Sequence, residues 1–159
     1  MGNIQTKNPE DVLKAIGETL GALGYTYDFN EENQVFSLSV VGKDIPMRLR
    51  IGVSEKQQTI IIYSTLPIEV SKSRNEIVSM AVAAINYKLI NGCFEYDEED
   101  CAIYFRMTES YRDSEISAEM IKYLIRCSLL TVDDYNDKLL LLCRGLLTLE
   151  EYEKEINFQ

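Results

Sequence analysis

The chain has 159 residues, 46% of them apolar and 26% charged, and a net charge of -10. That length and balance suit a single globular domain spanning 1–159 with a sizeable core. The acidic charge disfavours nucleic acid, whose phosphates need clustered Lys and Arg, and it disfavours anionic membrane surfaces. No apolar run nears the roughly 18 residues of a membrane span.

The chain contains no histidine. The commonest general base, the commonest metal ligand and every Ser-His or Cys-His nucleophile pair are therefore missing. Cysteines stand at 93, 101, 127 and 143 with no C-x-x-C spacing, which argues against zinc. They read as reduced core thiols of a cytoplasmic protein. Gly2 and Thr6 fit the loose N-myristoylation pattern, but with Lys7 as the lone nearby cation a second anchoring signal is weak, and the match reads as chance.

Along the chain, Asn8-Pro9-Glu10-Asp11 combines an N-cap side chain, a proline at the first helical position and acids at the positive helix end. Val12, Leu13, Ile16, Leu20 and Leu23 then recur at helical spacing up to Gly24. A four-strand meander follows from Tyr25 to Leu66. Tyr25, Tyr27 and Phe29 alternate with polar residues; so do Phe36, Leu38 and Val40, then Met47, Leu49, Ile51 and Val53. Folding about Lys43-Asp44 sets Val40 opposite Met47, Leu38 opposite Leu49 and Phe36 opposite Ile51. Turns at Asn30–Asn33 and Ser54–Gln57 predict Tyr27 by Phe36, Tyr25 by Leu38, Ile51 by Ile60 and Leu49 by Ile62. Opposed residues share a face, so these apolar sets gather on one side.

Ser73 and Glu76 form a capping-box pattern ahead of a helix that is apolar nearly all round from Ile77 to Ile85, with Asn91-Gly92 as its stop. A hairpin then pairs Phe94 and Tyr96 with Cys101, Ile103 and Phe105 across the tip Asp97–Asp100. The tip's contiguous acids lack the spaced ligands and turn glycine of a calcium loop. Ser117 opens a helix carrying Met120, Ile121, Leu124, Ile125 and Leu129, expected to kink or restart at Thr131–Asp134. Thr148 and Glu151 cap a short tail helix through Ile156.

Asn86-Tyr87-Lys88-Leu89-Ile90-Asn91-Gly92-Cys93-Phe94 resembles the YbjN family of bacterial proteins. The likeness continues through the acid-tipped hairpin, Tyr104-Phe105-Arg106, Asp134-Tyr135, Leu139 and the ending Gly145–Glu151. It covers roughly the second half of the chain. The resemblance implies an α+β fold similar to type III secretion chaperones, a twisted antiparallel sheet (meander plus hairpin) with helices packed on one face. It implies proteins that often dimerise and bind segments of other proteins, are loosely described as regulators of signalling, and carry no established catalytic residues. Gly92 is expected at a positive φ, Phe94 in the core and Asn86 in a hydrogen bond near the helix end.

The outer sheet face then collects Ser37, Ser39, Arg48, Arg50, Ile61 and Tyr63, extended by Tyr104 and Arg106 of the hairpin. Tyr and Arg are enriched where proteins dock, and an exposed antiparallel face needs only one partner. Arg48, Arg50, Ile61, Tyr63, Tyr104 and Arg106 are accordingly the candidate contacts of a non-enzymatic interaction module, chaperone-like or regulatory, expected to be a homodimer that binds a protein partner or a segment of one. The alternative is a small-molecule sensor whose pocket between sheet and helices uses the hydroxyls of Tyr25, Tyr27 and Tyr96. An enzyme ranks third: no carboxylate occupies an apolar position that would drive its pKa toward neutrality, and Asp28 and Glu95 face outward. No catalytic, cofactor-binding or metal residue is nominated.

Overall fold

The computed structural model describes residues 8–157, so the Gly2–Thr6 acylation pattern lies outside the described residues. Helix α1 (Pro9–Ala22) leads into strands β1 (Asp28–Asn30), β2 (Val35–Val41), β3 (Pro46–Ser54) and β4 (Thr59–Glu69). A 3-10 turn, Lys72–Arg74, precedes α2 (Asn75–Asn86); β5 (Cys93–Asp97) and β6 (Ala102–Ser110) form the hairpin. Helices α3 (Ala118–Cys143) and α4 (Leu149–Asn157) close the chain. The strands make one antiparallel sheet in the order β1-β2-β3-β4-β6-β5, which joins meander and hairpin through β4 and β6.

Alternation along each strand sorts the side chains cleanly. Phe36, Leu38, Met47, Leu49, Ile51, Ile60, Ile62, Ile103 and Phe105 are buried, while their neighbours in sequence stay at least partly exposed. Helix α1 packs on β3 and α3, α3 on β4 and β6, and α2 on β5 and α4. One sheet face is thus core, and among the described residues no helix lies over the other. The β2–β3 register places Phe36, Leu38 and Val40 opposite Ile51, Leu49 and Met47, as the spacing predicts.

Two other registers differ from expectation by two residues. Phe29, not Tyr27, opposes Phe36, and Ile51 and Leu49 face Ile62 and Ser64 rather than Ile60 and Ile62. Each loop sits one residue later than the sequence suggests, because a non-glycine residue in the left-handed region closes it: Gln34 at φ 54° and Gln58 at φ 53°. Cys101 at φ 52° does the same for the hairpin, where Asp97 faces Ala102. A two-residue slip preserves side-chain parity, so the apolar face survives it. Tyr25 and Tyr27 precede β1 and pack on the core's edge, the Tyr27 ring standing edge-on to Phe36 at 5.3 Å.

The helix ends follow their chemistry unevenly. Asn8 accepts from the Glu10 amide, and Thr148 and Glu151 exchange reciprocal hydrogen bonds at the start of α4. The capping box at Ser73 does not form: the Ser73 hydroxyl meets that of Ser71 at 2.9 Å, and the 3-10 turn supplies the start of α2. Helix α2 is also one-sided rather than buried nearly all round, with Met80 51% exposed. Helix α3 neither kinks nor restarts at Thr131–Asp134 but runs 26 residues without a break. Its buried stripe, Ile121, Leu124, Ser128, Val132, Tyr135, Leu139 and Leu142, keeps phase across the cap-like residues, so packing overrides the local stop signal.

Three polar contacts fasten the layers. Ser64 of β4 and Ser128 of α3, both fully buried, hydrogen-bond at 2.8 Å in the core. Asp133 accepts the Lys43 amide at 3.1 Å and so ties the β2–β3 turn to α3; a Cβ on Gly42 would lie 2.1 Å from Asp133 Oδ1. The Asn86 side chain donates to the Phe94 carbonyl and accepts from its amide, both at 2.8 Å. Gly92 has φ 74°, and any Cβ there would lie 2.4 Å from the Phe105 ring; Phe94 is 1% exposed. The family-like segment is thus architectural at all three positions.

Candidate functional site

The sheet registers decide which candidate side chains share the outer face. A row across four strands runs Ser37, Arg50, Tyr63, Arg106 and then Cys93 of β5, each directly opposite the next. The neighbouring row runs Ser39, Arg48, Thr65, Tyr104 and Glu95. On the other side lie Val35, Gly52, Ile61 and Thr108. Arg48, Arg50, Ile61, Tyr63, Tyr104 and Arg106 therefore occupy one continuous face of three central strands. Thr65, Val35 and Gly52 complete it and were not nominated; the same alternation that places Ile61 and Arg50 outward could have found them.

Electrostatically the face has two parts. On the hairpin side, Glu95 Oε1 takes hydrogen bonds from Arg106 Nη2 at 2.6 Å and Nε at 2.7 Å, and the hydrogen bond raises the guanidinium pKa. Arg106 Nη2 also reaches the Cys93 sulfur at 3.6 Å. Burial still pushes that thiol's pKa up, which makes it a poor nucleophile. On β3, by contrast, Arg48 and Arg50 are exposed and have no ion pair or hydrogen bond among the described residues. Tyr63 and Tyr104 stand edge to face between these parts, ring centroids 6.5 Å apart.

A concavity of about 440 Å³ opens on this face over Gly52, between Val35 and Ile61, with Arg50, Tyr63 and Asn33 at its rim. A second, of about 410 Å³, runs along the outer side of α3 past Lys122, Tyr123, Arg126 and Leu130. The tyrosines of the sensor alternative are engaged in packing. The Tyr96 hydroxyl donates to Asn75 Oδ1 at 2.6 Å, and the Tyr27 hydroxyl lies against Gly17 of α1. Among the described residues no group of three or more carboxylates and thiols is placed to hold a metal ion, and no helix is long and apolar enough to cross a membrane. The four cysteines are free thiols, Cys143 buried and the others partly so.

Solved structures share this architecture. A chain of the ExsC–ExsE complex superimposes with TM-score 0.60 at 13% identity, covering 83% of this chain and 95% of that one. YbjN from E. coli gives 0.58 at 15% identity, covering 79% and 91%. A chain of the HopA1–SchA chaperone–effector complex gives 0.54 at 10%, covering 79% and 93%. At such identities the likeness establishes the fold, which is the type III secretion chaperone-like α+β sheet that the sequence resemblance implies. No curated protein matches the sequence. Residues 13–141 match the family described as "YbjN: Putative bacterial sensory transduction regulator", a span that takes in most of α1, the whole sheet and nearly all of α3. The chain belongs to the YbjN family.

Proposed function

We propose that this protein is a non-enzymatic interaction module, one domain acting in the cytoplasm, that docks a segment of a partner protein on the open face of its sheet. The observation that carries the reading is the uncovered face itself. Six strands bury one side under helices and leave Arg48, Arg50, Ile61, Tyr63, Tyr104 and Arg106 together on the other. Aromatic and guanidinium groups on a rigid sheet supply contact area at small entropic cost, the composition of interface hot spots. The matched structures that were solved as complexes, one of them a chaperone with its effector, agree with a fold that receives other proteins. Homodimer formation and a regulatory role belong to the same reading.

The test begins with affinity purification of the tagged protein from its own cells. The partner so identified is then purified and its affinity measured for wild type and for the Arg48→Glu/Tyr63→Ala double variant. Sedimentation of the free protein, with and without the substitutions, reads the homodimer. Binding and sedimentation that both ignore the double variant remove the face from consideration.

A further inference from the structure

The open face has a grain. Along β3 its outward positions are Arg48, Arg50 and Gly52, two guanidinium groups followed by a residue with no side chain. Glycine inside a strand weakens it and often marks close approach of a ligand or another backbone. The backbone does not require glycine at position 52: the φ is ordinary, and a Cβ would meet nothing nearer than Val35 Cγ2, at 3.5 Å. Gly52 instead forms the floor of an open concavity of about 440 Å³, with Val35 and Ile61 as its apolar wall and Arg50, Tyr63 and Asn33 around them. Arg50 lines it and Arg48 follows two residues away along β3; among the described residues neither guanidinium has a carboxylate partner, on a chain whose net charge is -10. The other carboxylates of this face are placed elsewhere: Glu95 is held by Arg106, Asp28 lies opposite Ser37 on the far side of β2, and Glu69 and Asp97 flank Ala102 on β4 and β5.

We infer that the segment docking here is an extended acidic peptide in which two carboxylates and one large apolar side chain alternate with other residues. This deepens the docking role proposed above and rests on it. Alternate residues of an extended chain lie about 6.7 Å apart, the same repeat that separates the outward side chains of β3. A peptide laid along β3 therefore keeps step with it, two acids over Arg48 and Arg50 and the apolar side chain in the Gly52 pit. Charge provides the register and the pit provides the anchor. Planar guanidinium groups pair with carboxylates through two hydrogen bonds, which a lone cation could not match.

The test uses the full-length protein and two fluorescently labelled peptides, Ser-Glu-Ser-Glu-Ser-Phe-Ser and its reverse, because either chain direction keeps the spacing. Fluorescence anisotropy is expected to show one of them binding. Replacing both Glu with Gln, or Phe with Ala, weakens it about tenfold, and Arg48→Gln/Arg50→Gln does the same from the protein side. Gly52→Ala separates site from fold: it reduces peptide affinity while leaving the melting temperature unchanged or higher. Equal binding of the Glu and Gln peptides overturns the inference. So does an affinity weaker than about 1 mM for both directions, or an equal-length single-stranded oligonucleotide that binds as well and ignores Gly52→Ala. If the purified natural partner responds to Tyr63→Ala but not to Arg48→Gln/Arg50→Gln or Gly52→Ala, the face docks something other than an acidic strand. If it ignores all of them, the docking role falls as well.

Discussion

Replacing Asn86 with alanine removes both hydrogen bonds that its amide makes to Phe94, at 2.8 Å each. In an antiparallel strand a residue's N–H and C=O point the same way, so bonds from Phe94 to Asn86 mean that both groups face away from β6. Asn86 thus stands in for a missing strand on the edge of β5. Each bond is worth about 1 kcal/mol net, and the groups left behind lose part of their solvation, so the loss is about 2–3 kcal/mol. For a chain of this size that lowers the melting temperature by about 5–10 °C. Urea denaturation measures the change directly. Asn86→Asp is the sharper variant: it keeps the acceptor for the Phe94 amide but sets an anion against the carbonyl, and should cost at least as much. Sedimentation velocity should also show concentration-dependent association of the alanine variant through the freed strand edge. A loss under about 0.5 kcal/mol, or an aspartate variant as stable as wild type, refutes the edge-closing role.

Gly42→Ala should destabilise by about 1–3 kcal/mol in chemical denaturation, because its Cβ would lie 2.1 Å from Asp133 Oδ1 and 2.7 Å from Met47 Cε. Ser64→Ala and Ser128→Ala should each cost about 1–2 kcal/mol by stranding the other buried hydroxyl, and the double variant should cost less than their sum, as a double-mutant cycle will read. Burial pushes the Cys143 thiol from 9.0 up to about 11, so iodoacetamide at pH 8 should leave it unmodified in the native protein by mass mapping. A thiol raised in the folded state adds stability in full below pH 9.0, lost as pH rises through about 11; wild type should therefore lose stability faster than Cys143→Ala across that window.

Parity and partners in the sheet were legible in ways that exact register was not. The alternation of Phe36, Leu38, Leu49, Ile51 and Ile62 fixes which side each residue takes, since burying the wrong set would strand polar groups in the core. Register depends instead on loop closure. Gln34, Gln58 and Cys101 adopt left-handed backbone without glycine's or asparagine's signature, so each loop lies one residue beyond where polar clustering points. Ser64 is the converse case: a polar residue in an inward position reads as a flaw until Ser128, 64 residues away, supplies its hydrogen bond. The candidate face was readable because it depends on parity alone. The Gly52 pit was not, because a depression is defined by what its neighbours on two other strands leave empty.

The adjacency of β4 and β6 has a kinetic corollary. Arg48, Arg50, Ile61 and Tyr63 come from the early meander, whereas Tyr104 and Arg106 arrive only after the chain has crossed through α2 and the hairpin has seated beside β4. Tyr63 meets Arg106 over a separation of 43 residues, the kind of long-range pairing that forms late. A half-assembled chain can offer the meander's arginines but not the full platform. Any protein that grips both halves at once discriminates finished molecules from nascent ones, and by holding them together it opposes their coming apart.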